Sequence, residues 1–101
     1  MVFNKLVRDK IPEIIEQDGG QAVVRILDGA EYRLRLEQKL DEEVAEYHES
    51  RALDELADVL EVVCALAQAD GHTVEELFSA CRGKHDRRGG FSKRLFLVER
   101  R

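Results

Sequence analysis

Apolar residues recur along this chain at spacings of three and four, the signature of helices that each bury one face. From Glu31 to Glu49 the stripe is Tyr32, Leu36, Leu40, Val44 and Tyr47, and from Leu53 to Ala69 almost every position is apolar. A turn around Glu49 to Ala52 joins the two, so they predict an antiparallel helical hairpin. Asp28 caps the first of these helices, with Glu31 three residues on as its capping-box partner, and Gly71 stops the second. A third long helix opens with the capping box Thr73 and Glu76, runs to about Arg88, and ends at Gly89-Gly90. Upstream, the segment from Leu6 to Gln17 sets Val7, Ile11, Ile14 and Ile15 on one side, with Pro12 early in a helix or at a kink and Gly19-Gly20 closing it. Gln21 to Leu27 is rich in β-branched residues and Phe91 to Val98 alternates, so these two predict a small two-stranded β element beside the helices. The expected fold is mainly α, a single domain over 1–101, without internal repeat, linker or low-complexity tract.

Helical phase places acid inside this apolar pattern. Glu43 projects into the middle of its stripe with Glu46 at the edge, Glu55 projects between Val59, Val62 and Leu66, and Asp58 lies between Ala65 and Ala69. In an antiparallel hairpin Glu43 faces Asp58 and Glu46 faces Glu55, so four carboxylates occupy two adjacent turns. Glu42, Asp54 and Glu61 fall toward the outer side and are expected in solvent. A carboxylate buried without a partner is costly, and several together repel one another. The stretch Leu53 to Ala69 contains no Lys or Arg. A divalent cation would supply the missing charge, and an all-oxygen set suits Mg²⁺, with Mn²⁺ as a substitute, better than zinc. The competing reading is an acidic face paired by Lys or Arg from elsewhere in the chain.

Composition and charge add to this picture. At 37% charged residues the chain exceeds the roughly 25% of ordinary globular domains, yet its 44% hydrophobic content falls in periodic blocks and excludes disorder. The net charge of −5 argues against a general nucleic-acid binder, because acid is central and base is terminal: Lys5, Arg8 and Lys10 near the start, Lys84, Arg87, Arg88, Lys93 and Arg94 near the end. The stripe of the third helix begins Val74, Leu77 and Cys81 and turns basic at Lys84 and Arg88. With Arg87 and Lys93 flanking it, and Gly89-Gly90 permitting close backbone approach, this cluster is expected to bind phosphate; the bland alternative is that it complements the helix dipole. There is no N-terminal apolar run with a cleavage site, and Glu55, Asp58 and Glu61 interrupt the apolar helix, so no membrane span and a cytoplasmic location are expected. Cys64 and Cys81 lack metal or redox spacing and are expected as buried free thiols. His48, His72 and His85 are scattered and receive no role. The apolar surface of 53–69 exceeds what one hairpin covers, so a homodimer completing a four-helix bundle is expected; a tetramer would cover the same surface.

The string Glu42-Glu43-Val44-Ala45-Glu46 followed by Glu55-Leu56-Ala57-Asp58 resembles the EExxE and ExxD signature of the MazG-like, all-α nucleoside triphosphate pyrophosphohydrolases, a group that includes phosphoribosyl-ATP pyrophosphohydrolases. Asn4-Lys5-Leu6-Val7-Arg8-Asp9-Lys10-Ile11-Pro12 and Arg88-Gly89-Gly90-Phe91 resemble a small single-domain branch of it, although the connection between the two acidic motifs is shorter than the group often has. The resemblance implies Mg²⁺-dependent hydrolysis of a nucleotide to a monophosphate and pyrophosphate by an assembly of helical subunits. It implies metal ligation by Glu43, Glu46, Glu55 and Asp58. Glu46 or Glu43 would then act as general base, while Lys84, Arg87, Arg88 and Lys93 would hold the phosphates. A different class of reading is a non-catalytic, metal-binding helical interaction module.

Overall fold

Helical periodicity is realised in four helices: α1 (Ile11–Gln17), α2 (Gly29–Ser50), α3 (Leu53–Ala69) and α4 (Val74–Arg88). They come from a computed structural model that describes residues 1–101. Asp28 opens α2 from an extended conformation, its carboxylate accepting the Glu31 N–H at 2.9 Å. The reciprocal half of that capping box is absent, because the Glu31 carboxylate is held instead by a bidentate Arg25 at 2.7 and 3.0 Å. Thr73 and Glu76 do form the complete box at the start of α4. The α2–α3 connection is tight because Arg51 adopts the left-handed conformation (φ 58°), and its N–H donates to the Tyr47 carbonyl at 2.7 Å.

Antiparallel packing of α2 on α3 is the main tertiary contact; α4 rests on α3 alone, and α1 packs on no other helix. An ion pair from Arg33 to Asp70 ties the start of α2 to the end of α3, close to the register expected of the hairpin. Leu36 and Val62 are its buried apolar residues, and Glu43 is buried with them. The Cα radius of gyration is 17.7 Å, against about 13 Å for a compact domain of 100 residues. The chain by itself therefore leaves much of its apolar surface in water.

Three expectations are corrected. No strand forms. Gln21 to Leu27 runs without a partner, leaving Val23 and Ile26 almost fully exposed, and Phe91 to Val98 is exposed throughout. A two-stranded ladder is marginal unless one face packs on something, and neither segment has a surface to cover it. The first helix begins at Ile11 rather than Leu6, with Pro12 in its first turn, where a missing N–H costs nothing. The preceding residues run non-helically toward α2 and α3, where Lys5 and Arg8 make ion pairs. Finally, both cysteines are free thiols, Cys64 half-buried on α3 and Cys81 exposed on α4, whose outer face no helix covers. No helix is long and apolar enough to cross a membrane.

The Arg25–Glu31 pair fastens the 21–27 segment to the first turn of α2. Arg25, mainly through its hydrogen bond, holds the Glu31 carboxyl below its ordinary value of 4.5. Stability from this pair is therefore present above that value and is lost as pH falls through the depressed one. Wild type should melt above Arg25→Ala at neutral pH, and the gap should close on acidification. A gap that persists unchanged at low pH would show that Arg25 acts by packing.

Candidate metal centre

The α2–α3 hairpin brings Glu43, Glu55 and Asp58 together, one carboxylate oxygen from each lying within 4.8 Å of the others. Glu43 reaches this point from the middle of α2's buried face, whereas Glu55 and Asp58 stand one turn apart on α3, where a spacing of three residues puts both on one side. Glu46 falls outside this trio. It is half-buried and close enough to Glu43 to act on its charge. Three of the four carboxylates that helical phase selected thus converge, and the fourth stands at their side.

Glu43 is the least comfortable of them. Only 6% of its surface is exposed, and its Oε2 is buried with no hydrogen-bond partner. Burial pushes its pKa up; Lys39, with Nζ 3.3 Å from Oε1, pulls it down, and the neighbouring Glu46 raises it further. An orphaned buried oxygen in a ring of carboxylates is the arrangement that a cation relieves. The donors are hard oxygens, as Mg²⁺ or Mn²⁺ prefers. Oxygens on opposite sides of one Mg²⁺ stand about 4.2 Å apart, from bonds of about 2.1 Å, so a small side-chain adjustment would fit the trio to such an ion.

Cations from elsewhere in the chain compensate part of this charge. Arg8 donates to Asp58 Oδ1 at 2.6 Å and to Glu61 at 3.1 Å. Lys5 donates to Glu42 at 2.9 Å and holds that carboxyl below its ordinary value. Glu55 has no ion-pair partner. The N-terminal segment was visible in the sequence as a basic run, but nothing in its spacing tied it to positions some fifty residues away, since Arg8 and Asp58 are 50 apart. Lys84, Arg87, Arg88 and Lys93 behave differently. All four are exposed and pair with no carboxylate of the trio. Lys84 and Arg87 line an open groove on α4's own surface beside Glu76 and Ser79.

No family model and no solved structure matches the chain. Over 42 residues it is 55% identical to an uncharacterized protein of Mycolicibacterium smegmatis, a match that covers 42% of this chain and 43% of that protein. The chain therefore spans less than half the length of that relative. The chemistry of the trio has to be read from its own geometry.

Glu43→Gln removes the charge that burial penalises. The metal-free variant should melt above wild type at neutral pH, and Mg²⁺ should no longer raise its melting temperature as it raises that of wild type. An undiminished Mg²⁺ response in the variant would remove Glu43 from the centre.

Proposed function

We propose that this protein is a Mg²⁺-dependent nucleotide pyrophosphohydrolase that cleaves a nucleoside triphosphate, or a related nucleotide such as phosphoribosyl-ATP, to the monophosphate and pyrophosphate. The observation that carries this reading is the buried, unpartnered Oε2 of Glu43 among the oxygens of Glu55 and Asp58. A solvated acidic face would leave no carboxylate oxygen dry and unpaired. The match of Glu43, Glu46, Glu55 and Asp58 to the EExxE and ExxD pattern supports the same conclusion.

In this proposal Glu43, Glu55 and Asp58 hold Mg²⁺, with Glu46 completing the set or working beside it. When bound, such an ion would supply Lewis-acid polarisation of phosphate oxygens and lower the pKa of a bound water. Glu46, half-buried and outside the trio, would accept the proton of the attacking water, with Glu43 as the alternative base. Negative charge on the departing pyrophosphate needs cations, the task assigned above to Lys84, Arg87, Arg88 and Lys93. One observation favours the non-catalytic interaction module instead: Asp58, Glu42 and Glu61 already have Arg8 and Lys5 as partners.

Assembly belongs to the proposal. Leu53, Leu56 and Leu60 form an exposed stripe on α3 at helical spacing, and a second copy laid against it would complete a four-helix bundle. Leu60→Glu should convert the assembled protein to monomer by light scattering, whereas an unchanged mass would move the interface elsewhere.

Incubation with Mg²⁺ and a panel of nucleoside triphosphates plus phosphoribosyl-ATP, with pyrophosphate resolved from orthophosphate, tests the reaction. We expect pyrophosphate together with the monophosphate, and none from Glu55→Gln despite an unchanged circular dichroism spectrum. Full activity in that variant would refute the ligand assignment, and no turnover across the panel, with Mg²⁺ still raising the melting temperature, would favour the interaction module.

A further inference from the structure

Arg8 occupies a position that neither the acidic motifs nor the basic end of α4 accounts for. It belongs to the non-helical segment ahead of α1, yet it crosses to α3 and spreads its guanidinium over two carboxylates one turn apart, Asp58 at 2.6 Å and Glu61 at 3.1 Å. Asp58 is also one of the trio, so the strongest bond Arg8 makes is to an oxygen donor of the candidate metal centre. About half of the Arg8 side chain is exposed, and a guanidinium has five N–H donors, more than its two bonds here use. Lys5, three residues earlier in the chain, stands over Glu42, next to the trio's Glu43. Between this segment and α2 lies a cleft of about 60 Å³ whose lining includes the cations Lys5, Arg35 and Lys39. The basic groups of α4 offer no comparable contact, since α4 does not pack on α2 and none of its cations pairs with the trio.

We propose that Arg8 is a further substrate-binding residue for the phosphates, exchanging its bond to Asp58 for bonds to a phosphate anion when a divalent cation takes that carboxylate. This rests on the reading of the trio as a cation site. A carboxylate shared with a dication is a weaker acceptor for a guanidinium, while phosphate oxygens brought to the same place match the fork bidentately. Arg8 thus holds Asp58 in the metal-free protein and meets the anion in the loaded one.

Titration calorimetry on the full chain separates the two readings, with Mg²⁺ alone and inorganic pyrophosphate in saturating Mg²⁺ as the probes. For Arg8→Ala we expect Mg²⁺ affinity equal to wild type or tighter, because a competitor for Asp58 is gone, and pyrophosphate affinity at least tenfold weaker. Arg8→Lys, which keeps the charge but loses the fork, should fall between the two. Arg82→Ala, which removes an exposed α4 cation outside the proposed phosphate set, should bind pyrophosphate as wild type does. Pyrophosphate binding that survives in Arg8→Ala, or that is weakened equally in Arg82→Ala, overturns the assignment while leaving the cation site intact. Absence of Mg²⁺ binding by wild type overturns the cation site, and this proposal with it. Circular dichroism of each variant guards against misfolding, and Arg8→Lys provides the reading should Arg8→Ala fail to fold.

Discussion

The structure depends on one costly placement: a carboxylate, Glu43, set in the middle of an apolar helix face with an oxygen that nothing in the chain satisfies. Removing a charge from water is unfavourable by far more than an exposed ion pair returns, so such a group persists where its surroundings or a ligand compensate it. Lys39 reaches one oxygen only. The opposite helix contributes no cation and instead presents two more carboxylates. The hairpin that makes the fold therefore also concentrates negative charge at its own centre, and structure and candidate chemistry share a single pair of helices.

Acidic side chains of α2 and α3 also hold parts of the chain that have no core of their own. The segment ahead of α1 packs on the hairpin through Lys5 and Arg8, and the 21–27 segment is fastened by Arg25 to Glu31. Both attachments are solvent-exposed ion pairs, each worth little alone and weakened by salt. Segments held in this way can exchange partners at small cost. The same feature explains why α1 can be short and still ordered at its start: Pro12 presets the first turn, and the residues before it are engaged elsewhere.

Apolar surface remains open after these contacts are made. Leu36 and Val62 are the only buried apolar residues, while Leu53, Leu56 and Leu60 on α3 and Phe91, Leu95, Phe96, Leu97 and Val98 beyond α4 face water. An exposed stripe at helical spacing beside the carboxylate centre is how half of a bundle is expected to look. In such an assembly the basic residues of α4 and the tail would also find surroundings that a single chain does not provide.

Much of this was legible in local pattern. Period and caps located α2, α3 and α4 to within a residue or two, because side-chain spacing and cap chemistry are properties of neighbouring residues. Helical phase alone also selected Glu43, Glu55 and Asp58, since a two-helix antiparallel hairpin with a short turn has essentially one register. The β element over 21–27 and 91–98 was misread because β-branched and alternating residues record only a preference, and whether a ladder forms depends on a partner and a covering face that this chain does not supply. Glu46's place outside the trio was decided by the tertiary packing of the hairpin, which helical phase does not resolve. The choice of Arg8 over the α4 cations as the positive charge at the centre was likewise decided by tertiary structure. Coulombic pairing acts through space between positions far apart in sequence, whereas helix formation and burial of a stripe are written in residues three and four apart.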